Sequence, residues 1–142
     1  MVVAAVAFGM VTTRFGRTPD GRRLEVAGEF DASADRLWEL LTDTTEWAEW
    51  GPMVGSVLCP DHRIRTGTTG ELETSFGIGL PFQITACEDY RWTWKIAGIS
   101  ATGHRVEELD DGGCRVVFEV PLLAAGYSPV CAVALQNLKE IA

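Results

Sequence analysis

Apolar and polar residues alternate with a period of two from Arg23 to Phe30. Leu24, Val26, Gly28 and Phe30 fall on one side, with Arg23, Glu25, Ala27 and Glu29 on the other. This is the pattern of a strand with one buried face. Asp31-Ala32-Ser33 stops it, and Ser33 or Asp31 caps a helix in which Leu37, Trp38, Leu40 and Leu41 form one apolar stripe. Asp35, Arg36 and Glu39 take the other side of that helix. Asp43-Thr44-Thr45 breaks it and caps a second short turn that carries Trp47 and Trp50. Pro52 ends this turn and sends the chain into another strand.

The same alternation continues through short strands separated by turn signals. A strand covers Val54 to Cys59, and Arg65 to Gly70 is a loop. Leu72, Thr74 and Phe76 share a face, followed after Gly77-Ile78-Gly79 by Phe82, Ile84 and Ala86, with Cys87 on the opposite side. Beyond Glu88-Asp89 the inward set is Trp92, Trp94 and Ile96, then Thr102, His104 and Val106. Asp110 to Gly113 is a hairpin signal before Val116, Phe118 and Val120. With no long helix between them, these strands predict an antiparallel meander with one apolar face. Its cover is the last segment. Ser128-Pro129 reads as an N-cap with proline at the first helical position, and Cys131, Ala134, Leu135, Leu138 and Ile141 recur at helical spacing.

Length and charge narrow the picture. A chain of 142 residues is most simply one domain with a substantial core. Its 20 acidic and 12 basic residues give a net charge of −8, which repels phosphate backbones, so neither nucleic acid nor an anionic membrane is expected as a partner. Cys59, Cys87, Cys114 and Cys131 lack metal-type spacing and read as reduced thiols, with Cys114 the accessible one beside its turn. Met1 to Val11 is almost wholly apolar but too short to span a bilayer, and it lacks the basic start of a signal peptide. The expectation is a cytoplasmic protein without a transmembrane segment. Residues 1–20 read as an apolar extension and residues 21–142 as the domain. The extension is an added packed segment, a homodimer contact or a start set too far upstream.

The stretch EFDASADRLWELLTDTTEWAEWGPMVGSV carries Ala32, Ala34, Leu37-Trp38, Asp43, Trp47, Trp50 and Pro52. It resembles the opening of the polyketide cyclase/dehydrase group in the SRPBCC (START-like, helix-grip) superfamily. The likeness continues through GHRVEELDDGGCRVVFEV to ALQNLKEIA. It implies an α+β fold: a seven-stranded curved antiparallel sheet wrapped around a C-terminal helix, with two short helices after the first strand. It also implies an internal cavity for a polyketide-like or lipid-like ligand, with Trp47 and Trp50 near its rim.

The residues support a cavity on their own account. Cys131 and Ala134 are small where the helix meets the sheet, leaving volume that Trp92, Trp94, Phe76 and Phe82 either line or fill. Thr102 and His104 share the inward register. His104, with an ordinary pKa near 6.5, is the one candidate catalytic residue, either moving a proton on a ligand or sitting as a core histidine bonded to protein. Glu73 and Glu119 have outward parity and read as solvated, and Arg65 lies in a loop able to arch over the cavity mouth. His62 and His104 are too far apart in sequence to suggest a metal site, and no nucleophile elbow, phosphate cradle or cofactor motif appears, so no metal or cofactor is expected. The leading function is binding of a small hydrophobic or aromatic ligand, with cyclase or dehydrase activity left open. The alternative is a non-catalytic adaptor or chaperone-like module working through its surface or its N-terminal extension.

Overall fold

A computed structural model of the chain describes residues 11–142. Strands β1 (Thr12–Thr18) and β2 (Gly21–Phe30) form a hairpin, followed by helix α1 (Ala34–Thr42), a 3-10 turn (Thr44–Glu46) and the short helix α2 (Trp47–Trp50). Six further strands follow: β3 (Val54–Leu58), β4 (Thr69–Thr74), β5 (Gly79–Glu88), β6 (Arg91–Ile96), β7 (Ile99–Glu108) and β8 (Cys114–Pro121). A second 3-10 segment, Leu122–Tyr127, leads into helix α3 (Ser128–Ile141). The sheet order is β1-β2-β8-β7-β6-β5-β4-β3, with every neighbouring pair antiparallel. No helix among the described residues is long and apolar enough to cross a membrane.

The sheet therefore has eight strands where seven were expected. The addition is β1, at the edge, whose sequence TTRFGRT has no alternation to announce it and whose side chains are mostly exposed. It exists because the turn is well built. The Thr18 hydroxyl donates to the Gly21 carbonyl and accepts from the Asp20 amide, and Gly21 takes φ +103°, which a side chain would resist. The apolar run at Met1 to Val11 lies, apart from Val11, outside the described residues.

Register shifts between Val54 and Ser56, Ile84 and Ala86, and Thr93 and Lys95 bend one half of the sheet. The shift at Thr85 also exchanges the two faces. Cys87, not Ala86, pairs with Trp92 and packs toward the core. The concave side closes on α3, which buries Cys131, Ala134, Leu135 and Leu138. Ser128 does not cap this helix. The chain arrives already helical at Tyr127 (φ −80°, ψ −9°), which puts Ser128 inside the first turn. The cap of α1 is Ser33, whose hydroxyl accepts from the Arg36 amide.

The convex face departs most from expectation. Glu119 is 1% exposed, not solvated, because arginines from neighbouring strands close over it. Arg91 reaches it at 2.6 Å and Arg105 at 2.8 Å, and Arg105 also bonds Glu25 at 3.0 Å. Glu25 and Glu119 sit directly opposite each other on β2 and β8, a repulsive pairing that the shared Arg105 neutralises. Gly103, opposite Glu119 on β7, leaves the space, since a Cβ there would lie 2.6 Å from the carboxylate. Cys114, expected to be accessible, is fully buried at the start of β8, and burial pushes its thiol pKa up to about 11.

Candidate functional site

Helix α1 ends at Thr42, leaving its last carbonyls without partners along the helix. Two indoles supply them. The Trp47 indole N–H donates to the Leu41 carbonyl at 2.9 Å, and that of Trp50 to the Leu40 carbonyl at 3.0 Å. The i,i+3 spacing places both rings side by side under the helix end, where they also become a wall of the interior. The polar ends of these two tryptophans are thus committed to the fold.

The opposite wall is built by the β-strands. Trp92, His104, Phe118 and Val26 form one row across β6, β7, β8 and β2. Trp92 stacks on His104 with centroids 3.7 Å apart and planes 13° apart, and on Trp47 at 5.3 Å and 7°. Trp94 meets Trp92, Trp47 and His104 edge-on at 75–82°. Phe118 lies edge-on to His104 and stacks on Trp50.

These rings enclose a cavity of about 150 Å³. Trp47, Trp50, Trp92, Trp94, Thr102 and His104 all line it. Two other expected residues do not. Phe82 is buried behind the wall, against Trp47 and Trp94. Phe76 is 72% exposed, because β4 stops at Thr74 and the turn closed by the Gly77 and Ile78 amides on Thr74 swings it outward. Arg65 stays near Asp61 and does not line the cavity. Ile96 and Phe118, both on inward registers, join the strand walls, and Val54, Leu72, Thr74 and Leu80 from β3, β4 and β5 complete them. Met53 and Tyr127 close the rim from segments whose periodicity gave no signal, and Val130 from the first turn of α3, one position off its apolar stripe. Cys131 and Ala134 form the roof, as their small size suggested.

The chemistry is that of an apolar box. Among the described residues, no Asp, Glu, Lys or Arg side chain lines it. His104 is 4% exposed, and burial, reinforced by the charge of Arg91, lowers its pKa to about 3 against the raising effect of its backbone bond to Trp92. Its Nδ1 lies 3.4 Å from the Trp92 carbonyl, which only accepts, so Nδ1 carries the proton and Nε2 keeps its lone pair. Burial likewise pushes the Cys131 thiol up to about 12. The box holds a neutral imidazole and a protonated thiol near neutral pH.

The family model described as polyketide cyclase/dehydrase and lipid transport matches residues 7–140. The chain belongs to this family. No curated protein matches the sequence. Among solved structures, protein Ms6760 from Mycobacterium smegmatis is similar, with a TM-score of 0.62 and 20% identity over 92% of this chain and 96% of the other. BH1534 from Bacillus halodurans gives a TM-score of 0.64 at 15% identity, over 82% and 94%. The Aha1 dimer from Colwellia psychrerythraea gives 0.62 at 18%, over 82% and 92%. At these identities the likeness shows the shared fold.

Proposed function

We propose that this member of the family binds one small hydrophobic or aromatic molecule in its interior cavity and holds it without transforming it. The observation that carries the reading is the wall itself: stacked indoles, imidazole and phenyl rings with no charged side chain among them. An uncharged aromatic wall favours apolar ligands through burial and ring contacts, and offers no counter-charge to an ion. The protonation states favour holding over chemistry. A histidine with a pKa near 3 is a poor general acid at neutral pH and a weak base, and a thiol near 12 is not a nucleophile. Cyclase or dehydrase turnover would need proton transfer that this box does not favour. In this reading His104 is a binding group, its Nε2 lone pair able to accept from a ligand hydroxyl. The adaptor alternative works through the surface or the N-terminal extension, and residues 1–10 of that extension lie outside the described residues.

Native mass spectrometry of the purified protein, followed by solvent extraction, tests the proposal. The expected result is a one-to-one complex, either as isolated or after exposure to a panel of small neutral aromatics, that is lost on denaturation. A protein that stays at its bare mass throughout would refute it.

A further inference from the structure

The two ring nitrogens of His104 face different surroundings. Trp92 and His104 are paired directly across β6 and β7, and Nδ1 turns back to the Trp92 backbone carbonyl at 3.4 Å. Nε2, on the other side of the ring, is therefore directed away from that strand backbone, and no protein group among the described residues meets it. Trp92 stacks on one face of the imidazole, while Trp50, Trp94 and Phe118 surround it edge-on. None of these neighbours offers Nε2 a donor. The Trp50 N–H is given to the Leu40 carbonyl, and the N–H groups of Trp92 and Trp94 are sealed off without any partner among the described residues. Nε2 is not sealed off in this way. His104 is 4% exposed and lines the cavity, so the surface that Nε2 keeps is cavity surface. It carries a lone pair, because burial holds the ring neutral near pH 7. Buried acceptors normally have a partner, and this one faces the space a ligand would take.

We infer that the ligand is a small single-ring phenol whose hydroxyl donates a hydrogen bond to Nε2 of His104. The inference rests on the cavity-binding reading and adds the chemical class of its ligand. A lone pair in a box without charged side chains selects a neutral donor. A phenol is one: like the tyrosine side chain, with a pKa of about 10, it keeps its proton near pH 7. An ether or a ketone brings only an acceptor to an acceptor. A carboxylate does the same and is also stripped of water with no cation to meet it. Size sets the ring count. An interior of about 150 Å³ matches the engineered cavity known to take up benzene, which is room for one ring and a short substituent. The indole, imidazole and phenyl walls supply the contacts for the ring itself.

The test compares p-cresol, anisole and toluene, titrated calorimetrically into the full chain. p-Cresol and anisole are isomers, alike in size, and differ in whether the oxygen carries a proton. p-Cresol should bind roughly tenfold more tightly than anisole, and at least as tightly as toluene, because the bond to Nε2 offsets the desolvation of the hydroxyl. The same titrations are followed by the imidazole ¹⁵N resonances of protein labelled at histidine, with the exposed His62 as the internal control. The Nε2 resonance of His104 should move upfield, toward the protonated range, with p-cresol and not with anisole or toluene. His104→Phe keeps a ring and removes the lone pair, so it should still take up toluene and lose the preference for p-cresol over anisole. If His104→Phe fails to fold, the wild-type affinities and spectra decide. Three results would each overturn the phenol assignment and leave the cavity reading standing: p-cresol binding no more tightly than anisole or more weakly than toluene, a preference for p-cresol without the Nε2 shift, or a preference that survives in His104→Phe. Binding of none of the three compounds would overturn both readings together.

Discussion

Acidification should destabilise this protein through His104 in a way that one substitution removes. In the folded state the ring is buried, stacked on Trp92, and held to a pKa of about 3 against an ordinary 6.5. No carboxylate lines the cavity to hold an imidazolium, and Arg91 on β6 adds a repulsive charge. The unfolded chain takes up the proton as pH falls below 6.5 and the folded chain does not, so the unfolded state binds more protons. Stability must therefore fall with pH across that window. At pH 5 the offset from the ordinary value is about 1.5 pH units, and at about 1.4 kcal/mol per unit the loss is about 2 kcal/mol. The folded pKa needs only to lie well below 5 for this to hold. For a domain of this size the loss corresponds to a drop of roughly 6 °C in Tm. The assay is urea unfolding at pH 7.5 and pH 5, followed by tryptophan fluorescence, for wild type and His104→Gln. Surface carboxylates titrate alike in both proteins, so the difference between them isolates the ring. Wild type should lose about 2 kcal/mol more than His104→Gln between the two pH values. Parallel pH profiles would refute the reasoning, because they would mean that the folded protein accepts the proton.

Glu119→Gln should destabilise by about 1–3 kcal/mol in the same urea assay, because Arg91 and Arg105 lose the carboxylate that joins them while Asp20, Glu25 and Glu107 still meet their charges. Trp50→Phe removes the donor that satisfies the Leu40 carbonyl and should cost about 1–3 kcal/mol; a neutral result would mean that water reaches the helix end. Cys114 and Cys131, buried and with raised pKa values, should react with a thiol reagent only at the rate of unfolding, whereas the half-exposed Cys59 reacts in the native state. Rapid labelling of all the cysteines in native buffer would contradict their placement.

What could be read from the sequence was whatever leaves a periodic trace. The strand faces follow from period-two alternation, and residue type narrows the α1 cap to Ser33 or Asp31. The pair Trp47 and Trp50 lies on the short turn before Pro52, and His104 on the Thr102–Val106 register was visible as an inward polar group. Five features left no such trace. Strand β1 is an edge strand made mostly of polar and charged residues, held by a turn and by backbone pairing instead of by burial. The bulge at Thr85 exchanges faces without any change in composition, so strict alternation misplaced Cys87. Alternation carried on from Leu72 and Thr74 places Phe76 inward, but the strand stops at Thr74. Glu119 reads as solvated because parity reports the face of a sheet and not what covers it. Here the cover comes from Arg91 and Arg105, on strands that come together only in the folded sheet. Tyr127 closes the cavity rim from a 3-10 segment between a strand and a helix, where neither period applies.

The central claim is that a small neutral ring occupies the space beneath α3. It is tested most directly by calorimetric titration of toluene into wild type and into Ala134→Leu, which extends a roof residue into the cavity. The account predicts saturable one-to-one binding to wild type and none to the filled variant, whose cooperative unfolding is retained. No binding to wild type, or equal binding to a folded Ala134→Leu protein, would place the ligand elsewhere and contradict the account.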